Sequence, residues 1–176
     1  GITAKVNSLV DPEIIGLLYE ASCAGVPVRL VVRGICCLIP GLPEVSENIK
    51  VISIVGQLLE HSRVFRFENA GNPKIYMGSA DWMPRNLDRR VELVFPIEDE
   101  DLKQRAFYIL ETLLEDNTNA RKMLPDKAYQ HVTHRGRAAL SAQQAFYKDA
   151  QERLKARQHV EHDSPLIPIH TAEEAT

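Results

Sequence analysis

A strand, a helix and a second strand follow one another within the first 34 residues, and this order constrains the fold more than any other feature. Residues 2–7 alternate apolar and polar side chains, as in a strand with one buried face. Residues 11–13 (Asp-Pro-Glu) are a typical helix start, and Gly25 is a typical helix end. Residues 26–34 are rich in valine and leucine, which indicates a strand buried on both faces. Strands joined by such a helix pair in parallel, so the sequence predicts an α/β fold.

Further strands and a helix are predicted after this unit. Turn residues and prolines separate short apolar segments, and one longer segment has leucines at helical spacing. We therefore expect a mixed sheet that is flanked by helices. The predicted order is a loop at 34–48, a strand at 49–55, a helical turn at 56–60, a strand at 62–69, a turn at 70–73, a strand at 74–80, a loop at 81–88, a last strand at 89–96 and a helix at 99–117.

The chain changes character after this helix. Residues 118–140 are polar and lack a period, which predicts an irregular segment, and residues 141–158 predict a helix with a thin apolar stripe. Three histidines follow without metal-ligand spacing, and we expect a mobile tail from about residue 159. The expected organisation is one domain at 1–117 and a C-terminal helical extension at 118–176.

Composition and charge exclude several classes of protein. With 21 Lys and Arg against 24 Asp and Glu the net charge is −3, which argues against a globally basic nucleic-acid binder. The 3 cysteines lack metal-ligand spacing, as expected of reduced thiols in the cytoplasm. No apolar run approaches the roughly 20 residues that cross a bilayer. The chain begins with Gly-Ile-Thr rather than Met, so we expect it to be a piece of a longer polypeptide.

Two polar groups are predicted where strands meet loops, the usual place for ligands in open α/β sheets. Arg33 follows the buried strand, where its guanidinium can bind phosphate oxygens or only cap strand carbonyls. His61 and Arg63 are spaced so that both side chains lie on one face of a strand. The pair combines a titratable imidazole with a fixed positive charge, although a surface histidine beside an unrelated arginine gives the same pattern.

A third group lies at the end of the 74–80 strand and in the loop after it. Ser79 supplies a hydroxyl beside Asp81, and Arg85 and Asn86 are further hydrogen-bond donors. Between residues 61 and 90, six Lys and Arg stand against three Asp and Glu, a local charge of +3 in a chain of net charge −3. This segment therefore favours an anionic ligand.

Taken in order, the second and third groups resemble one half of the phospholipase D superfamily signature, which reads His-x-Lys, Gly-Ser-x-Asn and Asn-x-Glu. The corresponding residues here are His61-x-Arg63, Gly78-Ser79-x-Asp81, and Asn86 followed by Glu92. The sequence departs from the signature by Arg63 in place of lysine and Asp81 in place of asparagine. Members of the superfamily build one site from two such halves, and one half is visible in this chain.

Longer segments closely resemble the C-terminal domain of bacterial polyphosphate kinases, the family that makes polyphosphate from ATP. The matching segments are AKVNSLVDPEIIGLLYEASCAGVPV, LVVRGICCLIPGL, LEHSR and GSADWMPRNLDRRVEL. The resemblance runs from about residue 2 to about residue 130, and residues 141–176 match only loosely. It implies a phospholipase D-like domain in an enzyme that transfers the terminal phosphoryl group of ATP to polyphosphate, reversibly and with magnesium.

The resemblance also implies roles for individual residues. The family reaction passes through a phosphohistidine in the preceding domain, and its motif has no counterpart in this chain. His61 matches the second, assisting histidine, and Arg33 matches an arginine that contacts the nucleotide; we expect both to bind ATP and His61 to act in catalysis. The family's magnesium ligands lie upstream, so we expect no metal ligand here. Position and donor chemistry add the supporting candidates Lys5, Asn7, Arg63, Ser79, Asp81, Arg85 and Asn86.

The implied partners are ATP or ADP, polyphosphate, upstream domains of the same polypeptide and further copies in a homo-oligomer, without nucleic acid. The implied location is the cytoplasm, with peripheral association at the inner membrane as an option. Two other functions stay open: a phospholipase D-like phosphodiesterase completed by dimerisation, which would also use His61, and a non-catalytic anion-binding domain. The isolated 176-residue chain is expected to be inactive as a kinase.

Overall fold

The structure, a computed structural model, describes residues 1–158. Its strands and longer helices are β1 (Ile2–Val6), α1 (Pro12–Cys23), β2 (Val28–Val32), β3 (Ile49–Ile54), β4 (Val64–Phe67), β5 (Lys74–Gly78), β6 (Val94–Pro96), α2 (Glu100–Glu115), β7 (Ala120–Met123), β8 (Tyr129–His131) and α3 (Ala142–Gln158). A 3₁₀ turn at Asn69–Gly71 precedes β5, and a π-helical turn at Arg85–Arg89 precedes β6.

The predicted strand–helix–strand unit is confirmed. Pro12 is the first residue of α1, and the Asp11 carboxylate accepts a hydrogen bond from the backbone amide of Ile14 at 2.9 Å. This cap satisfies one of the amide groups that a helix start leaves without a partner. Strands β1 and β2 then pair in parallel, with Lys5 opposite Val31. The predicted start of α1 and the parallel pairing of the two strands are therefore both present.

The sheet is mixed, as predicted, and contains eight strands in the order β6-β5-β4-β1-β2-β3-β7-β8. Strands β1, β2 and β3 are parallel neighbours at its centre. The other strands add to this centre in antiparallel fashion on both sides. Three central strands therefore end at one edge of the sheet, which we call the carboxyl edge, and β4 begins there.

Helices cover both faces of the sheet. On one face, Leu18 of α1 packs with buried strand residues such as Ala4, Val6 and Leu30. On the other face, Ala106 and Leu110 of α2 pack with buried side chains of β4 and β5. Because side chains alternate along a strand, Lys5 lies on the α2 side of β1, opposite Val64 of β4. The α/β prediction with flanking helices is therefore confirmed.

Two local predictions between β3 and α2 are wrong. Residues 56–60 form no helical turn, because the amide and the carbonyl of Leu58 bond to the side chain of Gln143 instead of to a helical partner. The last predicted strand, 89–96, is reduced to the three residues of β6. The Glu92 carboxylate turns back to accept hydrogen bonds from Ser79 and Asn86, which keeps the preceding residues out of the sheet.

The segment 118–140 also differs from its prediction, since it contains β7 and β8 instead of being irregular throughout. Strand β7 pairs with β3, and only Ala120 and Met123 of β7 are buried, so its sequence lacks strict alternation. The compact unit consequently runs from Gly1 to Ala145, beyond the boundary predicted at residue 117.

A second unit comprises Phe146–Thr176 and begins within α3. The predicted helix at 141–158 is confirmed, with its start one residue later at Ala142. The expectation for the tail from about residue 159 lies outside the described residues. Within residues 1–158, no helix has the length and apolar character to cross a membrane.

Candidate functional site

The carboxyl edge brings together most of the predicted site residues. Asn7 follows β1 and Arg33 follows β2, so the two parallel strands deliver them side by side. Strand β4 runs antiparallel to β1, and therefore His61 and Arg63, which precede it, lie at the same edge. Ser79 follows β5, which is antiparallel to β4 and ends at this edge as well. The topology thus gathers residues that are far apart in the sequence.

Asp81 is the centre of a buried hydrogen-bond cluster. Its Oδ1 accepts from the backbone amides of Asn7 at 2.7 Å and Ser8 at 3.3 Å, and its Oδ2 accepts from Arg63 Nη2 at 2.8 Å. Burial by itself would raise the pKa of Asp81, but the hydrogen bonds from Arg63 and the two amides lower the pKa below its usual value. Asp81 is therefore a carboxylate at neutral pH and joins β1 to β4.

Arg63 connects this buried cluster to His61. Arg63 Nη1 lies 2.9 Å from His61 Nδ1 and donates to the His61 carbonyl at 3.0 Å. A guanidinium can only donate, so Nδ1 accepts and the neutral imidazole carries its proton on Nε2. His61 is exposed, so the Nε2–H group of this ring is free to meet a ligand. The predicted shared orientation of His61 and Arg63 is confirmed, although both precede β4 instead of lying within a strand.

Lys5 is buried next to the same segment. Its Nζ donates to the carbonyl of Ser62 at 3.0 Å and lies 3.5 Å from the carbonyl of Glu60. Burial lowers the pKa of Lys5 to about 8, with Arg33 and Arg63 acting in the same direction and Glu60 and Asp81 opposing them. Lys5 therefore carries a positive charge at neutral pH inside the sheet.

Arg33 and Asn7 offer hydrogen-bonding atoms that the protein leaves unused. Arg33 Nε and both polar atoms of the Asn7 side chain are buried and have no hydrogen-bond partner among the described residues. Arg33 lines a cavity of about 420 Å³ with Gly34 and residues 54–59. A Cβ at Gly34 would lie 3.0 Å from the Asn7 carbonyl oxygen, so glycine suits the close approach of the backbone at this strand end. Buried polar atoms without partners are rare in proteins, and their presence here favours a polar ligand.

A second carboxylate, Glu92, organises the outer part of the site. Ser79 Oγ and Asn86 Nδ2 donate to Glu92, and these hydrogen bonds lower its pKa. Ser79 Oγ in turn accepts from the amide of Leu93 at 3.1 Å. Glu92 was not among the predicted site residues. Its place after Asn86 in the signature was the available signal, because an amide donor and a carboxylate acceptor can form a hydrogen bond.

Arg85 is the predicted candidate that stands apart. It is exposed on the π-helical turn, and within residues 1–158 no hydrogen bond or ion pair joins it to the other candidates. Asn86, its neighbour in this turn, is buried. The turn therefore directs Asn86 toward Glu92 and leaves Arg85 at the surface.

The described residues do not assemble a metal site of their own. Within residues 1–158, no three His, Cys, Asp or Glu side chains are grouped so that they could hold a metal ion. The carboxylates of Asp81 and Glu92 are already bound by donors of the protein. A divalent cation would compete with these donors, so the residues present do not fit a resident magnesium ion.

Comparison with known proteins gives a family for this arrangement. Residues 1–143 match the family model of the polyphosphate kinase C-terminal domain 2. A polyphosphate kinase from Synechocystis sp. is 61% identical over 128 residues, which cover 73% of this chain and 18% of that protein. The crystal structure of a polyphosphate kinase from Porphyromonas gingivalis superposes with a TM-score of 0.84 at 38% identity and covers 88% of this chain and 24% of that one.

A more distant structure supports the predicted fold. Nuc from Salmonella typhimurium, a phospholipase D family member, superposes with a TM-score of 0.51 at 18% identity, over 70% of this chain and 81% of that chain. This likeness shows a shared phospholipase D-like fold. The chain spans about a fifth of the length of the curated relatives that it matches. The family model, the identity and the superposition together show that the chain belongs to the polyphosphate kinase family, through its C-terminal domain.

Proposed function

We propose that this chain forms the C-terminal part of the active site of an enzyme that transfers the terminal phosphoryl group of ATP to polyphosphate, reversibly. The observation that carries this proposal is the free donor set at the carboxyl edge. Arg33 Nε and the side-chain amide group of Asn7 are buried without partners among the described residues, at the edge that also presents His61. Polyphosphate kinases are the relatives of this chain, which supports phosphate oxygens as the missing acceptors.

Arg33 binds phosphate oxygens of the nucleotide in this proposal. Phosphoryl transfer depends on in-line positioning and on neutralisation of the charge on the transferred group. The Arg33 side chain lines a cavity, and its buried Nε gains an acceptor when a phosphate enters. The guanidinium also provides a fixed fork that matches two phosphate oxygens. Arg33 therefore contributes positioning and charge in one group.

His61 acts as the acid or base. Its Nδ1 accepts from Arg63, so the proton that it exchanges with the reacting groups is on Nε2. The nucleophile that carries the phosphoryl group is a histidine in an upstream domain of the same polypeptide, and His61 moves a proton as that phosphohistidine forms or breaks. Arg63, held by Asp81, keeps the imidazole oriented.

The proposal includes the setting of the reaction. Magnesium enters with the nucleotide, where it supplies charge neutralisation, and no residue of this chain is assigned to it. The protein acts in the cytoplasm, as a homo-oligomer, with the upstream domains completing the site. ADP and polyphosphate are the products of one direction and the substrates of the other.

Turnover of the full-length enzyme that contains this sequence tests the proposal. We expect His61→Ala to lower turnover about 10²-fold or more, the usual size of a general acid–base effect. His131→Ala is the matched control, since His131 is exposed and lies on β8, the last strand at the other end of the sheet. The turnover of this variant should equal that of the unaltered enzyme. Turnover of His61→Ala within a few-fold of the unaltered enzyme would remove the assigned role.

A further inference from the structure

Lys5 is a charged side chain in a place where an apolar one would pack. It lies on the central strand β1, is 1% exposed and is among the largest fully buried side chains. Among the described residues, no carboxylate oxygen lies within ion-pair distance of its Nζ. Burying a charge without a carboxylate in contact costs free energy. The burial of a charged side chain at this position therefore needs an explanation, and the hydrogen bonds of Lys5 provide it.

Those interactions converge on the segment that carries His61. Residues 55–63, which connect β3 to β4, are called the His61 loop below. Lys5 Nζ donates to the Ser62 carbonyl at 3.0 Å, and the Glu60 carbonyl lies at 3.5 Å, the long limit for a hydrogen bond. These two carbonyls belong to the residues on either side of His61. The ammonium thus contacts the backbone on both sides of His61.

Other hydrogen bonds also hold the His61 loop, from Gln143 at Leu58 and from Arg63 at the His61 carbonyl. His61 itself is exposed, and β4 begins only at Val64. The Glu60 carboxylate accepts from the Ser62 amide at 3.0 Å, which closes a tight turn around His61 but does not attach the turn to the sheet. Arg63 holds the ring and the carbonyl of His61 from the side of β4, whereas Lys5 attaches the turn to β1.

The charges around Lys5 do not explain its presence. Arg33 after β2 and Arg63 before β4 are positive, while Glu60 in the His61 loop and Asp81 after β5 are negative. Two charges of each sign face the ammonium, so their effects largely offset one another. The direct contact with the Ser62 carbonyl is the specific interaction that remains.

We propose that Lys5 is a positioning residue, which holds the backbone of His61 through the carbonyls of Ser62 and Glu60 and so fixes the imidazole at the carboxyl edge. The consequence for turnover rests on the proposed function of His61. The contact between Lys5 and the His61 loop does not rest on it, so two experiments separate the two claims.

The first experiment measures turnover in the full-length enzyme with Lys5→Met, which removes the ammonium and keeps an unbranched side chain. We expect kcat to fall about 10-fold or more, with KM for ATP within about two-fold, because Arg33 stays in place and the acid–base group loses its orientation. In a His61→Ala background the same change should cause no further loss. Lys50→Met is the control, since Lys50 is exposed on β3, two strands away from β1.

The second experiment measures amide hydrogen exchange and the His61 ring-nitrogen shifts by NMR in the 176-residue chain. We expect Lys5→Met to speed exchange at residues 60–63 about 10-fold and to move the ring signals, with neither change in Lys50→Met. Circular dichroism checks that each variant folds. If Lys5→Met fails to fold, Lys5→Gln takes its place, because glutamine keeps a hydrogen-bond donor group without the charge. We then expect a smaller increase of exchange at residues 60–63 and a smaller shift of the ring signals.

The outcomes distinguish the two claims. Unchanged exchange and ring signals in folded Lys5→Met overturn the positioning role. The positioning role is also overturned if kcat of Lys5→Met stays within two-fold of the unaltered enzyme while His61→Ala is impaired. It is overturned as well if Lys5→Met lowers kcat by the same factor in the His61→Ala background as in the unaltered enzyme. Changed exchange with full turnover in both Lys5→Met and His61→Ala supports the contact and contradicts the proposed function of His61.

Discussion

Two carboxylates at the carboxyl edge are both held by hydrogen bonds, but they differ in what surrounds them. Asp81 is buried, and its oxygens accept from two backbone amides and from the Arg63 guanidinium. Glu92 is half-exposed and accepts from the side chains of Ser79 and Asn86. Both carboxylates have a pKa below the usual value. Burial raises the pKa of Asp81, but the hydrogen bonds that it accepts lower it by more. The hydrogen bonds from Ser79 and Asn86 lower the pKa of Glu92. The comparison separates an inner part of the site, which is built into the sheet, from an outer part at the surface.

The inner part is also where a change should cost most. Asp81→Asn removes the negative charge beside Arg63, whose side chain is 13% exposed, and leaves a largely buried guanidinium without a counter-charge. We expect the free energy of unfolding to fall by about 3–5 kcal/mol, as for other broken buried pairs. Chemical denaturation of the 176-residue chain measures it. The matched control is Asp88→Asn, an exposed position on the π-helical turn; an equal effect in both variants would contradict the inner role of Asp81.

Buried Lys5 makes the stability of the inner part depend on pH. Its pKa is about 8 in the folded chain against 10.5 for the free group, so between these values the unfolded state binds the proton that the folded state has lost. The free energy of unfolding should therefore rise with pH across this window, by about 3 kcal/mol in total.

The measurement is the difference between the unaltered chain and Lys5→Met from pH 7 to 11, which cancels the other titrating groups. A difference that stays constant over this range would show that the ammonium is not held inside the sheet. A difference that falls with rising pH would contradict the sign of the effect.

An intermediate effect is expected where the C-terminal helix meets the His61 loop. Gln143 accepts from the Leu58 amide at 3.0 Å and donates to the Leu58 carbonyl at 2.6 Å. Loss of both hydrogen bonds in Gln143→Ala should lower the free energy of unfolding by about 1–2 kcal/mol. It should also speed amide exchange at residues 57–59. The neighbouring Gln144 is exposed, so Gln144→Ala should have neither effect, and similar behaviour of both variants would refute the contact.

The smallest effect on stability is expected in the outer part. Glu92→Gln keeps the shape of the side chain and weakens the hydrogen bonds from Ser79 and Asn86. We expect a change in Tm well below that of Asp81→Asn, together with a clear shift of the Asn86 side-chain amide signals in NMR. A loss of Tm as large as that of Asp81→Asn would erase the distinction between the inner and outer parts.

The sequence predicted the elements whose signals are local. The start of α1 and the apolar strands β1 and β2 depend on residues that are neighbours in the chain, and the structure has them where they were expected. Strands β7 and β8 were missed because they are short and polar, and because β7 forms by pairing with the edge of β3 while β8 pairs with β7. The backbone hydrogen bonds of β7 to a distant strand are not reported by any local pattern.

The same limit applies to the site. The residue types and their position at strand ends pointed to the carboxyl edge, since the topology of a parallel centre fixes where strands end. The pairing of Arg63 with Asp81 depends on the register of β4 against β5, and the contact of Lys5 with Ser62 joins residues 57 positions apart. Such contacts follow from the assembled sheet and cannot be read from spacing.

One measurement tests most directly whether the carboxyl edge binds phosphate as part of a kinase site. The 176-residue chain is incubated with magnesium, radiolabelled ATP, polyphosphate and a generic phosphodiester, and both retained ligand and released product are followed. We expect ATP or polyphosphate to be retained without release, and retention to weaken in Arg33→Ala but not in Arg121→Ala, an exposed arginine of β7. Retention that is indifferent to Arg33→Ala, or release of a phosphodiester product that requires His61, would contradict the account.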